Sequence, residues 1–170
     1  MVYSAFLDKE KGRDELKEEL DSLEIQLHRM QNNMKEIAKK SEIISIDQAN
    51  EEQWVIIYAD KGKKNCQVML HECTKPYRGD WDSAIQAEFR SDSTLHIADI
   101  KGVQNKGFGS VLMKHLKEIA REENMQFITG DIVERDFDHV NRLKHFYRKH
   151  HFNIKIDHEH LSGEIVWNDR

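Results

Sequence analysis

Proline is almost missing from this chain, one residue in 170, and cysteine occurs only twice. Two cysteines cannot make the framework of a small disulfide-stapled domain, and the seven-residue separation of Cys66 and Cys73 does not fit a zinc knuckle. Both are expected to be buried thiols. No apolar run approaches the roughly 20 residues that a membrane span requires. The first residues also lack the apolar region of a signal peptide, so a cytoplasmic protein is expected. Excess positive charge is missing too: 26 Lys plus Arg stand against 31 Asp plus Glu, a net charge of -5. That balance offers no field to a phosphate backbone and excludes general nucleic-acid binding.

What is present suffices for a core. Hydrophobic residues make up 38% of the chain and charged ones 34%, room for one domain of ordinary size and an appendage. The appendage is the N-terminus, residues 1–41. Leu16, Leu20, Leu23, Leu27, Met30, Met34 and Ile37 are spaced alternately four and three apart, the seam of a helix that faces another helix. A helix from Lys9 to Lys40 would be about 45–50 Å long, against about 35–40 Å for the remaining globule, so part of the seam should overhang. Two partners are open to it: its own core, or a second copy of the chain in a homo-oligomer. Charges disfavour a parallel pair, in which Glu19 would face Glu24 of the other helix.

From residue 42 onward, short apolar runs predict strands at 43–46, 54–59, 66–70, 84–89 and 95–100, joined by polar turns as an antiparallel meander. The segment from Thr74 to Asp82, with the sole proline, Pro76, is expected to be a mobile loop. Gly107 to Glu123 has helical periodicity, with Phe108, Val111, Leu112, Leu116, Ile119 and Ala120 inward. A strand at 126–133, a helix from Asp138 to His150 capped by Asp138, and strands at 152–156 and 164–167 complete a mixed α/β (α+β) domain, residues 42–170.

The most informative stretch is Gln104-Asn105-Lys106-Gly107-Phe108-Gly109-Ser110, which leads from a strand into a helix. Such a turn aims main-chain N–H groups outward at the positive end of a helix, a site for a phosphate. Gly102 and Gly107 have P-loop separation, but Phe108-Gly109 stands where Lys and Ser or Thr must be. A dinucleotide fingerprint fails at Leu112, where its third glycine belongs.

Gln104, Gly107 and Gly109 do match the pyrophosphate-loop signature of the GNAT N-acetyltransferase superfamily: Arg or Gln, two residues, Gly, any residue, then Gly or Ala. Downstream, Phe146-Tyr147-Arg148-Lys149-His150-His151-Phe152 resembles that family's aromatic-Tyr, three residues, Gly-Phe ending of a helix. The resemblance covers about residues 42–168. Lys101 stands where many members have proline and His151 where they have glycine. The family's two short helices after its first strand are also missing.

The resemblance implies a GNAT-like, mostly antiparallel sheet flanked by helices and preceded by the long heptad helix. It implies acetyl-CoA as co-substrate, with no metal, against Ile100 and the loop residues Gln104, Asn105, Lys106, Gly107, Phe108, Gly109 and Ser110. Asn141, one residue from the family's usual asparagine position, is the candidate pantetheine contact. The implied reaction is direct attack of a primary amine on the thioester, with Tyr147 as the general acid that protonates the leaving sulfur. Glu88 and Asp99 are the first candidates for the base, and His96 the next. A polyamine, an aminoglycoside, a lysine or a protein N-terminus would all suit as acceptor. The alternative is a GNAT-like module that binds acyl-CoA, or a protein through its heptad seam, without turnover. Ten histidines raise the question of a metal, but no His pair stands at ligand spacing beside a carboxylate or Cys, and no metal site is expected.

Overall fold

The structure is a computed structural model and describes residues 12–170. Helix α1 runs Arg13–Ala38; the expected start at 9–11 lies outside the described residues. Then follow β1 (Glu42–Gln48), a 3-10 turn (Asn50–Glu52), β2 (Trp54–Lys61), β3 (Asn65–Glu72), β4 (Ser83–Arg90), β5 (Thr94–Gly102), α2 (Phe108–Glu122), β6 (Phe127–Ile132), a second 3-10 segment (Glu134–His139), α3 (Val140–Lys149), β7 (Asn153–Asp157) and β8 (Ser162–Asn168). The eight strands form one sheet in the order β1-β2-β3-β4-β5-β6-β8-β7. Every neighbouring pair is antiparallel except β5 and β6, which α2 joins as a crossover.

Alternation along each strand divides the apolar side chains between two faces. One face carries Val55, Ile57, Val68, Ile85, Leu95, Ile97 and Ile128, and buries the whole expected inner side of α2 together with Tyr147 of α3. The other carries Ile56, Tyr58, Met69 and Ala84 beneath Ile37, with Met30 and Met34 packed alongside. The heptad seam is therefore split. Its C-terminal half packs on the sheet, while Leu16, Leu20, Leu23 and Leu27 remain 41–57% exposed.

Several expectations need correction. Asp138 does not cap α3: residues 134–139 form a 3-10 segment, and His139 precedes the helix without a side-chain cap. The Thr74–Asp82 segment is tied down. The Arg29 guanidinium donates to the Thr74 carbonyl at 2.7 Å, Asn33 Nδ2 donates to the Lys75 carbonyl, and Asn33 Oδ1 accepts from the Tyr77 amide at 2.8 Å. Cys66 is buried but Cys73 only half-buried. No described helix is long and apolar enough to cross a membrane.

Candidate active site

The site begins where two parallel strands part. β5 and β6 pair from Thr94 with Phe127 to Ile97 with Gly130, and there the ladder stops although β5 continues to Gly102. One residue later, Ala98 is the extra residue of a bulge: Gln86 pairs with Asp99 and Ala87 with Ile97. A bulge adds local twist to its strand and re-aims its side chains. The result is a cleft of about 750 Å³ between the diverging strands, roofed by the loop before α2 and by one face of α3.

The loop is shaped by Asn105 at φ 63° and Gly107 at φ 75°, both left-handed. The amides of Phe108, Gly109 and Ser110 open α2 and have no intrahelical acceptor, and no bond from any amide of Asn105 to Ser110 is found among the described residues. These are the donors an anion needs. The glycines, however, serve packing rather than ligand approach. A Cβ on Gly107 would stand 2.6 Å from the Asn50 side chain, and one on Gly109 would stand 3.3 Å from the Phe146 ring.

Of the expected cofactor residues, Ile100, Gln104, Asn105, Gly107, Phe108, Gly109 and Ser110 line the cleft. Lys106 and Asn141 do not: the Lys106 ammonium pairs with Glu72 at 3.4 Å, and Asn141 lies off the helix face that looks inward. That face consists of His139, Arg142, Leu143, Phe146 and Tyr147, the i, i+3, i+4, i+7, i+8 stripe of a helix. Arg142, which sequence reasoning missed, reaches across the mouth, and its Nη1 donates to Gln104 Oε1 at 2.8 Å.

Tyr147 is 7% exposed, with its ring against Phe146 and Phe152. Burial, with the Asp136 carboxylate adding, pushes its phenol up to about 12. The group is protonated at neutral pH.

The three candidate bases lie on the opposite face of the sheet. Register places Glu88 beside His96, and the bulge returns Asp99 to the same side. Glu88 is half exposed and faces Arg90 at 3.9 Å, while Asp99 pairs with Lys101 at 3.1 Å. His96 is 8% exposed; its Nδ1 hydrogen-bonds Thr129 Oγ1 at 2.8 Å, and its Nε2 lies 3.3 Å from Asp131 Oδ2. Asp131 lines the cleft from β6 and was not foreseen, because only the parallel register brings it to His96.

The described residues contain no group of three or more His, Cys, Asp or Glu placed to hold a metal ion. No protein-family model matches the chain. The uncharacterized protein YocC of Bacillus subtilis (strain 168) is 48% identical to it over 164 residues, 96% of this chain and 99% of that one. The chain belongs to the YocC family. Among solved structures, the GNAT domain of S. lividans PAT superposes with a TM-score of 0.59 at 7% identity, covering 74% of this chain and 96% of that one. A cAMP-binding acyltransferase from Mycobacterium smegmatis gives 0.56 at 13% identity, over 81% of this chain and 51% of that one. The fold is that of the GNAT N-acetyltransferase superfamily. This member of the YocC family thus carries a GNAT sheet with the cleft between its two parting strands.

Proposed function

We propose that the protein is an acyl-CoA-dependent N-acyltransferase that moves an acetyl group from acetyl-CoA to a primary amine. The observation that carries this reading is the row of free amides from Asn105 to Ser110 at the head of a cleft that also holds Tyr147. The amides bind the diphosphate at the positive end of α2, and Arg142 adds a guanidinium fork to the same group. The pantetheine arm follows the unpaired edge of β5 past Ile100 and brings the thioester to Ala98.

At that point the two faces of the sheet serve different proton transfers. The amine approaches from the His96 side, and its proton passes to the coupled His96–Asp131 pair, whose ring Thr129 orients. A carbon–nitrogen bond forms and the carbon–sulfur bond breaks. Tyr147, from the other side, gives its phenolic proton to the leaving sulfur. Glu88 and Asp99 remain at the site, each beside a cation of its own strand, Arg90 and Lys101.

Acetyl-CoA should raise the melting temperature, because a ligand held only by the folded chain stabilises it by mass action. Tyr147→Phe should lower kcat about 100-fold, at the lower end of what a positioned acid contributes, while leaving the acetyl-CoA dissociation constant unchanged. An unshifted melting temperature at millimolar acetyl-CoA would remove the proposal. Binding without turnover of any amine would instead leave a module that holds acyl-CoA.

A further inference from the structure

The sheet face that carries His96 is uncovered beyond α1. Register builds a row across it: Asn65 on β3, Glu88 on β4, His96 on β5 and Thr129 on β6 are successive partners. A parallel row places Gln67 beside Gln86 and Gln86 beside Asp99. Glu88 and Ala98 belong both to the cleft and to a second, shallow cavity of about 650 Å³ that runs over these rows to the β2–β3 turn. The two cavities meet at Glu88 and Ala98, and end to end they make a trough that leads from the thioester position to that turn.

Its charge is graded. Glu88, Asp99 and Asp131 gather at the reaction end, Glu88 3.9 Å from Arg90 and Asp99 3.1 Å from Lys101, while Asp131 has no Lys or Arg partner among the described residues. The middle is floored by the amides Asn65, Gln67 and Gln86, whose side chains bond to no described group. At the far end stand Lys63 and Lys64, exposed and without an ion pair among the described residues. Lys61, in the same turn, is committed to Glu42 and Glu122 at 3.8 and 3.9 Å, and Asp60 is the carboxylate at that end. Two strand spacings separate His96 from Asn65, about 9.5 Å, and the lysines lie just beyond.

We propose that this trough is the acceptor site, and that it selects a hydrophilic amine whose other end, about 10–14 Å away, carries a carboxylate or other anion. Asp131, the carboxylate at the reaction end without a Lys or Arg partner among the described residues, draws the ammonium in, the amides hydrogen-bond the backbone of the acceptor, and Lys63 and Lys64 hold its anionic end. An extended tripeptide spans about 10–11 Å and has this form. The inference rests on the acyltransferase reading above and deepens it by naming the acceptor's chemistry.

The test compares acetylation of Ala-Ala-Ala as the free acid and as its C-terminal amide, by wild type and by the Lys63→Glu/Lys64→Glu double variant. Two exposed charge contacts should give wild type about a threefold to tenfold preference in kcat/KM for the free acid, shrinking as salt is added. The variant should lose or invert that preference with an unchanged acetyl-CoA dissociation constant and melting temperature. Equal use of both peptides, or a preference that survives charge reversal, overturns the proposal. So does acetyl-CoA binding with neither peptide acetylated, whereas failure to bind acetyl-CoA removes the underlying reading itself.

Discussion

His150 joins the two helices that frame the cradle, its Nε2 lying 3.0 Å from Ser110 Oγ in the first turn of α2. Burial first, then the charges of Lys117, Lys149 and His151, hold its pKa down to about 4. A histidine in the unfolded chain titrates near 6.5. Between those values the unfolded chain binds a proton that the folded one refuses. The contribution of this group is therefore complete above about pH 6.5 and is lost progressively as pH falls toward 4. The ring is only half-buried, so the slope should stay below the roughly 1.4 kcal/mol per pH unit of a fully protected group. His150→Gln should flatten the fall in urea midpoint between pH 7 and pH 5; an identical fall in the variant would exonerate His150. Arg142 supports a second residue-scale prediction. Arg142→Ala should weaken acetyl-CoA about tenfold, the worth of one charge-assisted contact, and leave acetyl-pantetheine, which has no diphosphate, unaffected. Calorimetric titration with both ligands decides it.

Helix α3 ends in hydrogen bonds that demand an unusual backbone. The His151 amide donates to the Arg148 carbonyl at 3.0 Å and the Phe152 amide to the Tyr147 carbonyl at 2.9 Å, the Schellman pairing. His151 takes the left-handed position at φ 63°, where glycine is at ease and other residues are strained. His151→Gly should therefore stabilise the protein by about 0.5–1 kcal/mol, or about 1–4 °C in a chain of this size. A lowered melting temperature would show that the imidazole makes a compensating contact. The same element sets where Tyr147 stands in the cleft, since the turn that ends α3 fixes the last turn on which it sits.

At the scale of the whole molecule, the described part of α1 works as two halves. Met30, Met34 and Ile37 are used by the sheet, and Asn33 is spent on the Lys75–Tyr77 loop. Leu16, Leu20, Leu23 and Leu27 extend beyond, exposed, on about 18 Å of helix. We expect two copies to pair through this free stretch. Leu20→Asp/Leu23→Asp should reduce the sedimenting mass and shift stability by less than about 0.5 kcal/mol, as for any exposed position. A wild-type chain that sediments as a monomer at high concentration would leave the seam without this use.

The sequence alone determined the order of elements, the inward face of α2 and the cradle around Gly107, because each depends on local periodicity or on backbone freedom within a few residues. It also carried the Tyr147 position, through a helix-ending pattern confined to seven residues. The Lys106 side chain turns to Glu72 and Asn141 lies off the cleft face, placements that spacing along a chain does not give, since it does not say which side of a helix or loop meets the cleft. The seam was legible as a heptad pattern, but its division between sheet and solvent depends on where the sheet edge falls beneath the helix. Arg142 beside Gln104 and Asp131 beside His96 are meetings of residues 38 and 35 positions apart. Only the parallel register of β5 and β6 and the packing of α3 produce them. The graded trough has the same origin: no stretch of the chain contains it, and pairing four strands side by side does.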